Sequence, residues 1–205
     1  MIIVRSLGCL TVAVLSLSLG ACGFHVGNDG LYDDPEGLNT TATAWQQLPE
    51  ALKKNFIFFP VTGPHHFQDD WGAARAGHRH IGIDIMAAKM TPIIAVVAGT
   101  VAWVRDQKGG ECCYLAIDHK NDFQTRYIHL NNDTPGTDDG QVVGISPGLR
   151  AGQTVRAGEI IGWVGDSGNA EATAPHLHFE VWYQKRPMNP YKFLVNAKHV
   201  SPLTK

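Results

Sequence analysis

Four stretches of the chain are dense in β-branched and aromatic residues, and turn formers interrupt them. They are PIIAVVAGTVAWVRD (92–106), CYLAIDH (113–119), FQTRYIHL (123–130) and PHLHFEVWYQ (175–184). Several alternate with period two, the signature of a strand with one face in a core. GQTVRAGEIIGWVGDSG (152–168) adds short strands broken by glycines. No long stretch carries helical periodicity. Many short strands separated by Gly and Pro predict an all-β domain of mainly antiparallel sheets. Its expected limits are 56–196, enough chain to bury a core, with a tail at 197–205. The polar run 131–148 is long for a connection inside a compact domain, which marks it as a candidate groove wall.

The first residues belong to no such domain. Arg5 is the only charged side chain before Asp29, and an apolar run extends from Ser6 to Gly20. A positive start, a short apolar run and a small-residue end predict a secretory signal over 1–21. Leu19-Gly20-Ala21-Cys22 resembles a bacterial lipobox, which implies lipidation of Cys22 and an exported chain lipid-anchored to the cell envelope. Residues 22–55 then read as a tether and lead-in, with a short helix over 49–54 opened by Pro49. The chain has 17 basic and 19 acidic residues, a formal net charge of −2. That balance leaves no electrostatic footprint for nucleic acid. No polybasic run addresses anionic lipid, so membrane attachment is expected through acyl chains alone.

Cys9 leaves with the signal, and Cys112-Cys113 remain as an adjacent pair. Adjacent Cα atoms lie about 3.8 Å apart across a trans peptide, whereas disulfides favour about 4.4 Å or more. Strand neighbours also point to opposite faces. The pair therefore reads as two partly buried thiols, with a vicinal disulfide as the alternative.

The chemistry lies among ten histidines. His176 and His178 occupy positions i and i+2 of a predicted strand, so they share a face about 6.6 Å apart. Two imidazoles so placed can ligate one metal, or one can ligate while the other reaches a bound water. Leu177 and Phe179 turn the other way, into packing. A second signal is His80-x3-Asp84 in HRHIGID (78–84). A straight strand would hold these two side chains about 13 Å apart, so the chain must bend, and Gly82 is the natural hinge. A third is His129, at the end of Tyr127-Ile128-His129-Leu130. FQDDWGAAR (67–75) reads as a turn and an ion pair from Asp69-Asp70 and Arg75 shaping the approach to His80. His119, His25 and His199 read as surface residues, and His78 as a neighbour of the site or exposed.

In this order, and over about 140 residues, these elements resemble the lysostaphin-type (LytM-like) zinc endopeptidases, which cut peptides in bacterial peptidoglycan. His80-Ile81-Gly82-Ile83-Asp84 matches the family's HxxxD element, His129 its YxHL histidine, and APHLHFE (174–180) its final motif. The resemblance implies an all-β fold whose sheets form an open groove. It implies a Zn2+ cofactor held by His80, Asp84 and His178, with His129 and His176 as non-ligand catalytic residues and a peptidoglycan peptide as substrate. AAKMTP (87–92) departs from the family, which has Pro and Gly before the Thr-Pro. Degenerate relatives that regulate other hydrolases lack ligands, and this chain keeps all of them. VRAGEIIGWVGDSG (155–168) also resembles the hairpins of lipoyl and biotinyl carrier domains. Those need an attachment lysine, and none lies between Lys120 and Lys185.

Overall fold

The structure, a computed structural model, describes residues 50, 58–107 and 112–202. The expected signal, Cys22 and the tether fall outside the described residues, as does all of the 49–54 helix except Glu50. An eight-stranded antiparallel sheet dominates, in spatial order β1 (His65–His66), β4 (Ile83–Ala87), β11 (His176–Tyr183), β8 (Phe123–Ile128), β7 (Cys112–Asp118), β6 (Gly99–Asp106) and β9 (Thr154–Val155). β12 (Arg186–Met188) pairs with β11. Two small sheets flank it: β5 (Pro92–Ile94) with β10 (Ile160–Trp163), and the hairpin β2 (Ala74–Arg75) with β3 (His78–Arg79). A short helix, α1 (Tyr191–Asn196), closes the order. The all-β expectation holds. No helix among the described residues is long and apolar enough to cross a membrane.

The period-two pattern decides the faces. Leu177 pairs with Ile85, and Phe179 with Ile83 and Tyr127. These side chains, with Leu115, Ile117 and Val181, are fully buried and form one side of the core. Burial of each aliphatic or Phe side chain contributes about 1.5–3 kcal/mol. The Tyr127 hydroxyl is not stranded there: it accepts from the Val96 amide at 3.2 Å and from Thr125 Oγ1 at 3.1 Å. The intervening residues of β4, β8 and β11 face the other way. His178 stands opposite Asp84 on one side and Ile128 on the other.

Two expectations need correction. Cys112 and Cys113 are joined by a disulfide rather than free, and the peptide bond between them is cis, with Cα atoms 3.0 Å apart. The thiol reading assumed a trans strand whose successive side chains diverge. His119 is not a simple surface residue. Its ring is half-buried and spans Ala98 O at 3.0 Å and Thr125 Oγ1 at 2.9 Å, bracing the β7–β8 turn. His199 is exposed, stacked on Phe59 at 4.8 Å.

Candidate metal centre

β4 and β11 supply two of the three converging side chains through register alone. His178 and Asp84 are direct cross-strand partners. His80 lies just before β4, and the chain bends at Gly82 to return it to the same point. Gly82 does more than bend. A Cβ there would lie 2.6 Å from His178 Cε1 and Nε2 and 2.8 Å from Phe179 O. The missing side chain is the space that the His178 ring fills.

His80 Nε2, His178 Nδ1 and Asp84 Oδ1 form a triangle with sides of 2.9, 3.0 and 3.0 Å. The far nitrogen of each ring is committed elsewhere. His80 Nδ1 donates to the Asp70 carbonyl at 3.0 Å, and a carbonyl can only accept. His178 Nε2 donates to Glu180 Oε1 at 3.2 Å. In the neutral rings both inward nitrogens therefore carry lone pairs, and a carboxylate oxygen joins them. Three acceptors facing one point repel unless a cation sits among them. The imidazole–carboxylate–imidazole set suits zinc, and three protein ligands are the number found in catalytic sites. Among the described residues this is one of two groups whose donor atoms are close enough to share an ion. The other, Asp133, Asp138 and Asp166, already holds the Lys89 ammonium at 2.7, 2.8 and 2.9 Å.

The charges of the site follow. Burial disfavours the His178 imidazolium, but hydrogen bonds to Asp84 and Glu180 outweigh it and raise the pKa to about 9. His80 is also raised, burial being overcome by Asp70 and Asp84. Burial acts to raise Asp84, yet hydrogen bonds from His178 and His80 hold it far below the carboxylate range. Without a metal, the protein answers three converging acceptors by keeping a proton there.

Glu180 anchors this arrangement from behind. It is buried, accepts from the Trp182 indole N–H, and lies 3.5 Å from Arg126, whose guanidinium stacks on Trp182 at 3.7 Å from the ring centroid. Glu180 received no role in the sequence reading. The signal was present: it stands two residues after His178 on one strand, so it shares that face. On the exposed side, Arg75 Nη2 donates to Asp84 Oδ2 at 2.7 Å and lies 3.6 Å from Asp70. The expected ion pair thus exists, and it reaches a candidate ligand directly.

His129 and His176 flank the triangle. Their rings lie 4.9 Å apart, and His129 is 5.9 Å from His178. His129 Nδ1 donates to Ser167 O at 2.8 Å, and His176 Nδ1 to Ala174 O at 2.8 Å. Each of these bonds leaves the ring's Nε2 free of those carbonyls, and His176 Nε2 is 3.8 Å from Asp84 Oδ1. Burial, then repulsion from His178 and His176, depresses His129 to about 3, so it is neutral at physiological pH. His129 adopts φ 63°, a left-handed conformation that costs a non-glycine residue on the order of 1–3 kcal/mol. His78 is not drawn in; its Nδ1 bonds Ala76 O at 3.1 Å.

The family model of Peptidase family M23 matches residues 78–190, more than half of the chain. An uncharacterized metalloprotease of Haemophilus influenzae is 31% identical over 152 residues, covering 71% of this chain and 29% of that protein. The peptidoglycan DD-endopeptidase ShyC of Vibrio cholerae is 29% identical over 175 residues, covering 81% of this chain and 33% of that protein. The chain thus spans about a third of the length of these relatives. Among solved structures, a zinc-containing peptidase from Vibrio cholerae superposes with a TM-score of 0.50 at 26% identity, covering 72% of this chain and 41% of that one. The antiparallel fold, the order of the motifs and the family match agree: the chain belongs to Peptidase family M23.

Proposed function

We propose that this protein is a zinc-dependent endopeptidase that hydrolyses peptide bonds in bacterial peptidoglycan. The observation that carries the reading is the triangle of inward-facing acceptors from His80, Asp84 and His178, oriented on their far sides by Asp70 O, Arg75 and Glu180. The zinc-containing relative and the endopeptidase relative support the metal and the substrate class. In this reading His80 Nε2, Asp84 Oδ1 and His178 Nδ1 hold the ion. Bound zinc supplies Lewis-acid polarisation of a carbonyl and acidifies water toward neutral pH.

The remaining steps fall to the protein's own groups. His129 and His176 stand beside the three converging side chains, each with Nδ1–H tied to a carbonyl and Nε2 left to take a proton. One accepts the proton of the attacking water and returns it to the leaving amine. The other, once protonated or hydrogen-bonded to water, stabilises negative charge on the former carbonyl oxygen. Arg75 keeps Asp84 Oδ2 occupied, so Oδ1 is the oxygen presented to the ion. Residues 1–21 complete the proposal as a lipoprotein signal that is removed, and Cys22 as the lipid attachment point that holds domain 56–196 at the envelope.

Purified sacculi incubated with the zinc-loaded protein should release muropeptides with new amino termini, and chelator should abolish this. A folded, zinc-loaded protein that cuts no peptide bond in sacculi contradicts the substrate assignment. A folded protein that takes no zinc favours a regulator of other hydrolases.

A further inference from the structure

The GDSG stretch at 165–168 follows β10 and touches both proposed catalytic histidines. The Gly165 amide donates to His129 O at 3.0 Å, and Gly165 O accepts from the His176 amide at 3.0 Å. A Cβ at Gly165 would collide with the Asn131 backbone, so the close approach needs glycine. Ser167 O takes the His129 Nδ1–H, while Ser167 Oγ accepts from the Cys113 amide at 2.8 Å. This short segment therefore sets the backbone of both histidines and the ring of one.

What holds the segment is the β4–β5 turn. The Met90 amide donates to Val164 O at 2.8 Å, and the Val164 amide to Thr91 O at 2.9 Å. Those bonds stop at Val164, before the chain turns toward His129. A further fastening beyond Val164 is Lys89, within the AAKMTP stretch (87–92). Its ammonium reaches Asp166 at 2.9 Å, Asp133 at 2.7 Å and Asp138 at 2.8 Å. Asp133 lies four residues beyond His129 on the same chain, and Asp166 adjoins the carbonyl that orients the ring. Both carboxylates are almost wholly buried, at 1% and 6% side-chain exposure, so neither can exchange the ammonium for water. Asp133 Oδ1 also accepts from the Gly140 amide at 2.7 Å, which folds the 131–148 loop onto the same node.

We propose that Lys89 is a positioning residue for His129: one ammonium draws together the chain that follows His129 and the segment that holds its ring. The ligands His80, Asp84 and His178 bind none of these groups, so the device acts on the histidine and leaves the metal alone. The proposal rests on the metallopeptidase reading only where a rate is measured.

The test compares wild type, K89M and K89R, each zinc-loaded. In wild type, the imidazole 15N–1H spectrum should show His129 with its proton on Nδ1. K89M should lose or exchange-broaden that signal while K89R keeps it. Displacing a catalytic group by about 1 Å can cost about 100-fold, so K89M should lose about that much kcat with KM little changed, and K89R should recover part. Zinc affinity, from competition with a chromophoric chelator, should be the same in all three. An intact Nδ1–H signal with unchanged kcat in K89M overturns the proposal. So does a fall in zinc affinity matching the fall in kcat. If K89M does not fold, D166N, which keeps the side chain's shape and removes its charge, is read by the same three measurements and decides in the same way. The NMR arm needs no substrate, so it stands if the peptidoglycan assignment fails.

Discussion

His178 and His129 face the same small volume but are built by different means. His178 sits within an eight-residue strand, with cross-strand neighbours on both sides and a carboxylate two residues on. His129 sits just past the end of β8, at positive φ, and depends on Ser167 and Gly165 from a distant segment. The first is placed by sheet register, which shifts only if every neighbouring pair shifts. The second is placed by a handful of hydrogen bonds from loops. The corner expected to grip an ion is rigid by construction, and the corner expected to move protons is adjustable and needs guy-lines.

The largest expected effect separates the two corners. H129A should retain zinc and lose about 10²–10⁴ in kcat, the usual contribution of a general acid–base group. H176A should behave alike. Equal zinc loss in these variants would erase the division between gripping and proton-moving corners. Next comes the space that the His178 ring occupies. G82A places a methyl 2.6 Å from that ring and 2.8 Å from a strand carbonyl, so the ring or strand must shift. A destabilisation of about 1–3 kcal/mol is expected in denaturant unfolding, together with weaker zinc binding. An unperturbed G82A would show that His178 is held less tightly than its register implies.

A smaller effect is expected behind the ligand. Glu180 fixes the His178 tautomer that leaves Nδ1 inward. E180Q should weaken zinc by about 10–100-fold, the range for partners that orient metal-binding imidazoles. Unchanged affinity would mean that the strand alone suffices.

The smallest effect is a pH signature of the metal-free protein. His178 is raised to about 9 in the fold. Its stabilisation is fully present below the unfolded value of about 6.5 and is lost as pH rises through about 9. His129 is depressed to about 3, so the unfolded chain takes up its proton first. Its contribution is present above about 6.5 and declines as pH falls toward 3. Unfolding free energies across pH should show H178A lacking the alkaline decline and H129A lacking part of the acid one. Curves parallel to wild type would contradict the assigned charges.

The contrast also explains what could be read in advance. The all-β class, the shared face of His176 and His178, and the bend at Gly82 follow from period two and one hinge, which are local properties. The same periodicity reaches Glu180. Ser167, Gly165 and Lys89 carry no such local mark, because their importance arises when segments 36 to 77 residues apart meet. The Cys112–Cys113 disulfide ranked only as the alternative because regular strand geometry was assumed at a place where the backbone departs from it. His119 escaped because both its bonds depend on a turn whose closure the sequence does not reveal.

The central claim is that three acceptors from β4, β11 and the bend before β4 await one ion. Calorimetric titration of metal-free protein with zinc tests it most directly, run beside H178A. The account predicts one zinc per wild-type chain, released protons that diminish as pH rises above about 9, and no binding by H178A at the same concentrations. A folded wild type that takes no zinc, or an H178A that takes it equally well, would contradict it.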